Sequence, residues 1–453
     1  MATEQTFEEA VQEFISKSKD LIGTESDENL PPWPPAPYDQ EGPPYEFSQR
    51  ITPEFISKYS LTIADDNPLY TDSEYGKKTK YGSQIAPGPV LALVRYPSVH
   101  GATKPGGYPL ANFISGAAWE FFDVIHAGSK FRSSKTTKEI FEKPGSRGNL
   151  VFMTSDNYYW DYHGDLIGKC YGTQIYVPMP SMGTTRVISN ERLGEHMMYE
   201  RKAQQYSKEE IDQTLKDIAS MKRRGPETLY WEDVNEGDTV GPLILPPWTL
   251  QDQVVYHSCA YATTVWGHFQ GDNLAFEPIY HALKTIDREG ALFGSITHPV
   301  TGWPSTMNTE HEDALLAVFR GQPGPFDFGV QRAQIPQKMF ADWMGDDGFI
   351  RRLQMAFRKP VYYSDTTVYR GEVVKKFKEV QEGEKGEGAT PGKKQYYAVG
   401  IKYQGLNQVG EAQVIGTGTV YLPSREAGPV DLPIPHPARP PFVSYETFYR
   451  DWY

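Results

Sequence analysis

Cysteine is nearly absent: Cys170 and Cys259 are the only two in 453 residues. A disulfide framework or a four-cysteine zinc site needs more, so neither is expected, and both thiols read as small buried hydrophobes. Basic charge is also in deficit. Against 58 Asp and Glu stand 45 Lys and Arg, a net charge of -13, which withholds the basic face that nucleic-acid phosphates demand. No apolar run approaches the ~20 residues of a membrane span. The opening MATEQTFEEAVQEF carries acids where a secretory leader carries bases, with no apolar stretch behind it. These absences point to a cytoplasmic protein that engages neither nucleic acid nor membrane and works on a small molecule or a protein partner.

What is present is a globular balance of 39% hydrophobic and 23% charged residues, long enough for two domains plus connectors. Residues 1–46 read as an N-terminal helix and a proline-rich arm. Thr6 and Glu9 form a capping box, Phe7, Val11, Phe14 and Ile15 share one face of the helix that follows, and PPWPPAP favours extended chain. Residues 47–182 read as a first domain, 183–227 as a linker whose helix is capped by Ser207 and Glu210, 228–424 as a second domain, and 425–453 as a tail.

Within the first domain, ITPEFISKYSLTIADDNP and SQIAPGPVLALVRY predict helices, and AAWEFFDVIHAG, NLVFMTSDNYYWDY and DLIGKCYGTQIYVP predict strands, the last two joined by a hairpin at His163 and Gly164. The order then repeats. YWEDVNEGDTVGPLIL is an opening strand, TLQDQVVYHSCAYATTV a helix, and PFDFGVQRAQIPQKMFADWM a second helix with a glycine just inside its start. Strands follow in FIRRLQMAFRKPVYYSDTTVYRGEVVKKF, QYYAVGIKYQ and EAQVIGTGTVYLP, with KEVQEGEKGEGATPGKKQ as a charged, solvated and mobile hairpin tip. Such a repeat decides the architecture. Each copy is α+β, a helix wrapped by an antiparallel sheet.

The most informative segment is ADDNPLYTDSEYGKKTKYGSQIAPG, residues 64–88. It resembles the overhang motif of the MaoC-like (R)-specific enoyl-CoA hydratases, Asp-x-Asn-Pro-x-His followed by x-Asp. Asp65, Asn67, Pro68 and Asp72 match, while Tyr70 stands at the histidine position. In that family a glycine eighteen residues beyond the histidine opens the central helix and offers its amide to the thioester oxygen. Gly88 stands eighteen residues after Tyr70, and in the second copy Gly329 stands eighteen after His311. There Asn308 takes the asparagine position, Asp313 follows the histidine, and Thr306 occupies the aspartate position. Residues 45 to 423 as a whole resemble the two-domain acyl dehydratases of bacteria, with MGDDGFIRRL at Met344–Leu353 as a further shared stretch. The resemblance implies a tandem hot-dog fold, each copy a long central helix in an antiparallel sheet, acting on coenzyme A thioesters with no metal or resident cofactor.

Hydration of a 2-enoyl thioester needs a base for water, an acid near the α-carbon and donors for the enolate oxygen. Histidine and aspartate can share one water between them, yet the first copy keeps the aspartate and the second the histidine. His311, Asn308 and Gly329 form the preferred site, because an imidazole is a far better base at neutral pH than the Tyr70 phenol. Asp327, Asp313 and Glu310 are candidates for the missing acid. Asp65, Asn67, Tyr70 and Gly88 then form a relic that supports the pair or holds the coenzyme A tail. Plainer readings stand beside these: Asp65 to Pro68 as a turn, and His311 as a surface histidine. His257, His268 and His281 lack metal-ligand spacing and read as structural. Trp343 and Met344 read as core, and Arg351 and Arg352 as phosphate contacts or a solvated strand edge.

The leading expectation is a hydratase or dehydratase of a 2-enoyl-CoA or 3-hydroxyacyl-CoA, in a homodimer or larger homo-oligomer. The aromatic segment 262–306 suggests a bulky or cyclic acyl group. A degenerate hot-dog subunit that binds thioesters or supports a partner hydratase is one alternative, and a hot-dog thioesterase another.

Overall fold

Fourteen strands and a set of mostly short helices make up the computed structural model, which describes residues 6–26, 51–95, 97, 99, 101–102, 110–145, 148–178, 202–260, 296–297, 300, 304–305, 311–319 and 322–453. The strands of the first half are β1 (Glu25–Ser26), β2 (Ile85–Ala86), β3 (Leu110–Phe121), β4 (Ile125–His126), β5 (Phe131–Gly145), β6 (Gly148–Asp161) and β7 (Leu166–Pro178). Those of the second are β8 (Thr239–Leu245), β9 (Ile296–Thr297), β10 (Pro304–Ser305), β11 (Phe349–Phe357), β12 (Thr367–Gly383), β13 (Gly392–Asn407) and β14 (Ala412–Tyr421).

Ten of them form one antiparallel sheet in the order β1-β5-β6-β7-β3-β11-β14-β13-β12-β8. In each half the first long strand is followed by a three-stranded meander that folds back beside it, so the repeat read from the sequence is a repeat in space. The halves meet where β3 pairs with β11, from Gly116 opposite Ala356 to Glu120 opposite Arg352. Gly116 is obligatory in this seam, because a Cβ there would stand 2.2 Å from the Met355 carbonyl oxygen. One apolar cluster runs through both halves, from Ile51 and Trp119 to Val399 and Ile434.

The central helices are shorter than expected. In the first half a 3₁₀ turn, Gly88–Val90, leads into Leu91–Val94 and stops there, since Arg95 is extended and Pro97 bars a further turn. The single helix expected over 325–344 is two pieces, Gly329–Arg332 and Pro336–Met344, because Pro336 lacks the amide that would continue the ladder. Strand β5 was not foreseen; its charged sequence hides an alternation of buried and half-exposed positions. The charged hairpin is mostly strand as well, with pairing that reaches Gly383 opposite Gly392, and only its last residues form a tip.

Both capping boxes form as read. Val11, Phe14 and Ile15 of the first helix, Phe7–Lys19, pack on Val99, Ile140, Val151 and Tyr176. The tail contributes a helix, Tyr445–Arg450, that lays Tyr445 and Phe448, with Trp452, on Phe152 and Tyr171 of the sheet. Arg351 and Arg352 are neither a solvated edge nor a phosphate contact. They lie on the innermost pair of strands, where Arg351 stacks over Phe122 at 4.5 Å and Arg352 bonds Glu379 at 2.6 Å.

Candidate functional site

In the first half, the chain enters the motif through Ala64, whose φ of 61° turns Asp65 inward. Asp65 Oδ1 accepts from the Asn67 amide at 3.1 Å, and the Asn67 side chain caps the short helix Pro68–Thr71 by accepting from the Leu69 amide at 3.0 Å. Asp72 caps the next helix, Ser73–Lys77, through the Glu74 and Tyr75 amides. The turn reading of this motif is thus correct as far as its backbone goes.

Its side chains do more. Asp65 is fully buried, and its Oδ2 accepts from Gln337 Nε2 at 2.6 Å, across from the second half. Tyr70 is buried close by, and the same glutamine and Tyr70 both line the pocket described next. Burial pushes the Asp65 carboxyl up to about 6 and holds the Tyr70 hydroxyl well above its ordinary value, so the phenol is no base. Gly88 faces Phe121, whose ring would lie 2.6 Å from an added Cβ. A pocket of about 50 Å³ opens here, with Tyr70, Gly88, Phe121, Gln337, Met344 and Asp346 in its walls.

The second half contributes that pocket's far wall through MGDDGF. Tyr75 donates to Asp346 Oδ2 at 2.5 Å, Tyr81 to the Asp346 carbonyl at 2.9 Å, and Lys80 to the Asp347 carbonyl at 3.0 Å. Beside it, Lys338 bridges Asp66 at 2.8 Å and Asp342 at 2.9 Å, and Arg223 of the linker joins the same two acids.

In the second half, His311 is buried. Its Nδ1 lies 2.9 Å from the Phe326 carbonyl oxygen. A carbonyl only accepts, so Nδ1 carries the hydrogen and Nε2 the basic lone pair. The ring stands edge-on between Phe326 and Phe328, at 4.4 and 5.3 Å between centroids. Phe328 is the N-cap of the helix that Gly329 opens. The ring of His311 therefore packs against the residue that precedes Gly329. An alanine Cβ at 329 would find only ordinary contacts, 3.4 Å to Phe357 and 3.5 Å to Ile114, so packing alone does not demand this glycine.

The acids proposed to assist His311 fare differently. Asp327 is spent on Arg332, which donates to both of its oxygens at 2.6 and 2.7 Å, while the Val361 amide donates to one of them at 2.9 Å. It anchors the start of the helix. Asp313 accepts from the Leu315 amide at 2.8 Å, again a capping role. Asn308, Glu310 and Thr306 lie outside the described residues, as do His268, His281 and the greater part of 262–306.

Sequence reasoning missed a row of glutamines. Gln331, Gln334 and Gln337 are three apart, one on each helix piece and one in the turn between them, and all are buried. Gln331 donates to the Thr62 carbonyl at 2.8 Å, and Gln334 accepts from Tyr59 at 2.5 Å while donating to Tyr256 at 2.7 Å. With Gln337 on Asp65, the row links the second central helix to the overhang of the first half. Its signal was available in QRAQIPQ, where polar residues recur at helical spacing among apolar ones.

The comparisons with known proteins bear on this geometry. The family described as "FAS1-like, dehydratase domain region" matches residues 45–169, the segment that holds Asp65, Tyr70 and Gly88. A solved MaoC-like dehydratase aligns over 89% of this chain and 98% of its own, at 13% identity and a TM-score of 0.52. This chain has the tandem hot-dog fold of the MaoC-like dehydratases. A MaoC-like dehydratase from Phytophthora capsici aligns over 82% of this chain and 92% of its own, at 11% identity and a TM-score of 0.40. A conserved hypothetical protein from Mycobacterium tuberculosis, described as a double hot-dog fold, covers 90% and is itself covered to 98%, at 10% identity and a TM-score of 0.43. No curated protein sequence matches the chain. No helix among the described residues is long and apolar enough to cross a membrane.

Proposed function

We propose that this tandem hot-dog chain is a hydro-lyase that adds water to a 2-enoyl-CoA thioester, or removes it from the 3-hydroxyacyl-CoA, and that His311 is its base. The observation that carries the reading is the placement of a buried histidine, with Nδ1–H held by the Phe326 carbonyl, against the residue that precedes the helix-opening Gly329. As the first residue of its helix, Gly329 has an amide with no carbonyl four residues back within that helix. It is the donor the reaction requires at the thioester oxygen.

In the hydration direction, Nε2 of His311 takes a proton from water, the water oxygen bonds to C3, and the C2=C3 electron pair moves onto the thioester carbonyl as an enolate. The Gly329 amide stabilises that oxygen. The enolate then takes a proton at C2, and the imidazolium can return the one it received. With Asp327 held by Arg332 and Asp313 capping a helix, a histidine that plays both parts is the simplest scheme. The aromatic residues of 262–306, among them Trp266, Phe269 and Phe276, favour a bulky or cyclic acyl group.

The test is hydration of a panel of straight, branched and cyclic enoyl-CoA thioesters by the isolated chain and by His311→Ala and His311→Gln. A fall of ~10²-fold or more in kcat for both variants is expected. Undiminished turnover would remove His311 from the mechanism. Release of free coenzyme A thiol in place of hydration would mark a thioesterase. Wild-type chain that binds the thioesters without turnover would mark a degenerate subunit, a reading that the seam contacts of Asp65 favour.

A further inference from the structure

Phe326 and Phe328 both meet the His311 ring, the first also through the carbonyl that lies 2.9 Å from Nδ1. Phe328 is in addition the N-cap of the helix that Gly329 opens. Between the two stands Asp327, buried and fixed at both oxygens. Arg332 donates to Oδ2 from Nε at 2.6 Å and to Oδ1 from Nη2 at 2.7 Å, and the Val361 amide donates to Oδ1 at 2.9 Å. The backbone is tied to the same neighbours: the Asp327 amide donates to the Val361 carbonyl at 2.8 Å, and Phe326 forms a bridge with Tyr362. Arg332 is itself held, since Nη1 donates to the Lys359 carbonyl at 2.6 Å and the guanidinium stacks 4.4 Å over Phe357. A two-point fork of this kind fixes orientation as well as distance.

The first copy has no such pair. At the same offsets from its own glycine, two before and three after Gly88, stand Ala86 and Leu91, both buried and apolar. Its helix start forms without an ion pair, and that copy carries Tyr70 where the family has its histidine. Burying a carboxylate and a guanidinium costs desolvation that apolar side chains at the same places do not incur. Opening a helix at this glycine therefore does not require the pair, and its presence beside His311 calls for a reason in the site. A neutral imidazole has two tautomers, and an acceptor held against Nδ1 keeps the hydrogen there and the lone pair on Nε2. The Phe326 carbonyl is that acceptor, and Asp327 fixes the chain immediately after it.

We propose that Asp327 and Arg332 are positioning residues for His311. They hold Phe326–Phe328 rigid, so that the imidazole stays in the Nδ1–H tautomer with Nε2 as the base, and the segment leading into the Gly329 amide stays fixed relative to the ring. The kinetic part of this proposal rests on the reading of His311 as the base; the tautomer does not.

The experiment uses the full chain labelled with ¹⁵N-histidine, the His311 signals being those lost in His311→Gln. Two variants are compared with the wild type: Arg332→Lys, which keeps the charge and loses the fork, and the double change Asp327→Asn with Arg332→Gln, which leaves no buried charge unpaired. Circular dichroism checks that both fold. At neutral pH the wild type should show one His311 tautomer, hydrogen on Nδ1, and the variants an average of the two. In hydration of the enoyl-CoA panel, kcat should fall about tenfold to 10²-fold with KM little changed, the pattern of a displaced reacting group. A single Nδ1–H tautomer retained in both folded variants would overturn the proposal whatever turnover does, and kcat unaltered after the tautomer is lost would overturn it equally. A wild type that hydrates none of the panel would sink the hydratase reading, while the tautomer would still decide whether the pair positions the ring.

Discussion

Asp65 is an acid held where water does not reach, with one oxygen on its own turn and the other on a helix from the opposite half. Burial moves its carboxyl from 3.8 to about 6, so the folded chain binds a proton there that the unfolded chain has already released. The stability this group contributes is therefore present below about pH 3.8 and lost as pH rises through about 6. Asp65→Asn removes the penalty. The variant should gain stability relative to wild type as pH rises from 4 to 7, up to roughly 3 kcal/mol for a shift of this size. Urea unfolding of both proteins across that range checks it, and a difference that shrinks toward pH 7 would contradict it. Gly88 makes a second residue-scale case. An alanine Cβ would enter the Phe121 ring, so Gly88→Ala should cost about 1–3 kcal/mol. Phe121→Leu in the same chain should recover part of that loss, by the same measurement, if the collision is the cause.

Among the elements, the tail helix Tyr445–Arg450 shows how a short segment becomes indispensable. Alone, six residues would not hold a helix in water. Here Phe448 stacks on Tyr171 at 5.4 Å between centroids, and Lys169, fully buried, donates to the Pro440 and Pro441 carbonyls just upstream while pairing with Asp156 at 3.1 Å. Phe448→Ala should destabilise the chain by about 3–5 kcal/mol, read as a lowered urea midpoint at constant slope. The central helices carry the opposite lesson. Four residues at Gly329–Arg332 cannot sum the dipole of a long helix, so the help that Gly329 gives an oxyanion comes from its own amide.

At the scale of the whole molecule, the ten-stranded sheet makes the two halves one folding unit. The β3–β11 pairing, the buried Arg352 beside Glu120, and the bonds of Gln331 and Gln337 all cross the seam. Separate domains would unfold in two steps, whereas a shared core predicts one. Far-ultraviolet circular dichroism and tryptophan fluorescence should report coincident thermal transitions. Two resolved transitions would mean that the seam is weaker than its contacts indicate.

The repeat, the strand pattern of the second half, both capping boxes and the glycines at 88 and 329 were legible in the sequence, because each is written in local spacing and local backbone chemistry. Strand β5 was obscured by charges that the sheet leaves half-exposed, and the helix over 325–344 by a proline whose effect outweighed the apolar periodicity. The partners were not legible at all. Nothing local tells Arg352 that its acids wait on β3 and β12, or tells Asp65 that its second hydrogen bond comes from Gln337, 272 residues away. The amino-acid sequence by itself determined that there are two copies of one fold and which residues occupy the motif positions of the first. Only the tertiary structure decided that the first copy's aspartate is bound into the seam while the second copy's histidine packs on Phe328, the residue before its glycine. The reason is that burial and long-range pairing set the chemistry of an ionisable group, and neither leaves a period in the chain.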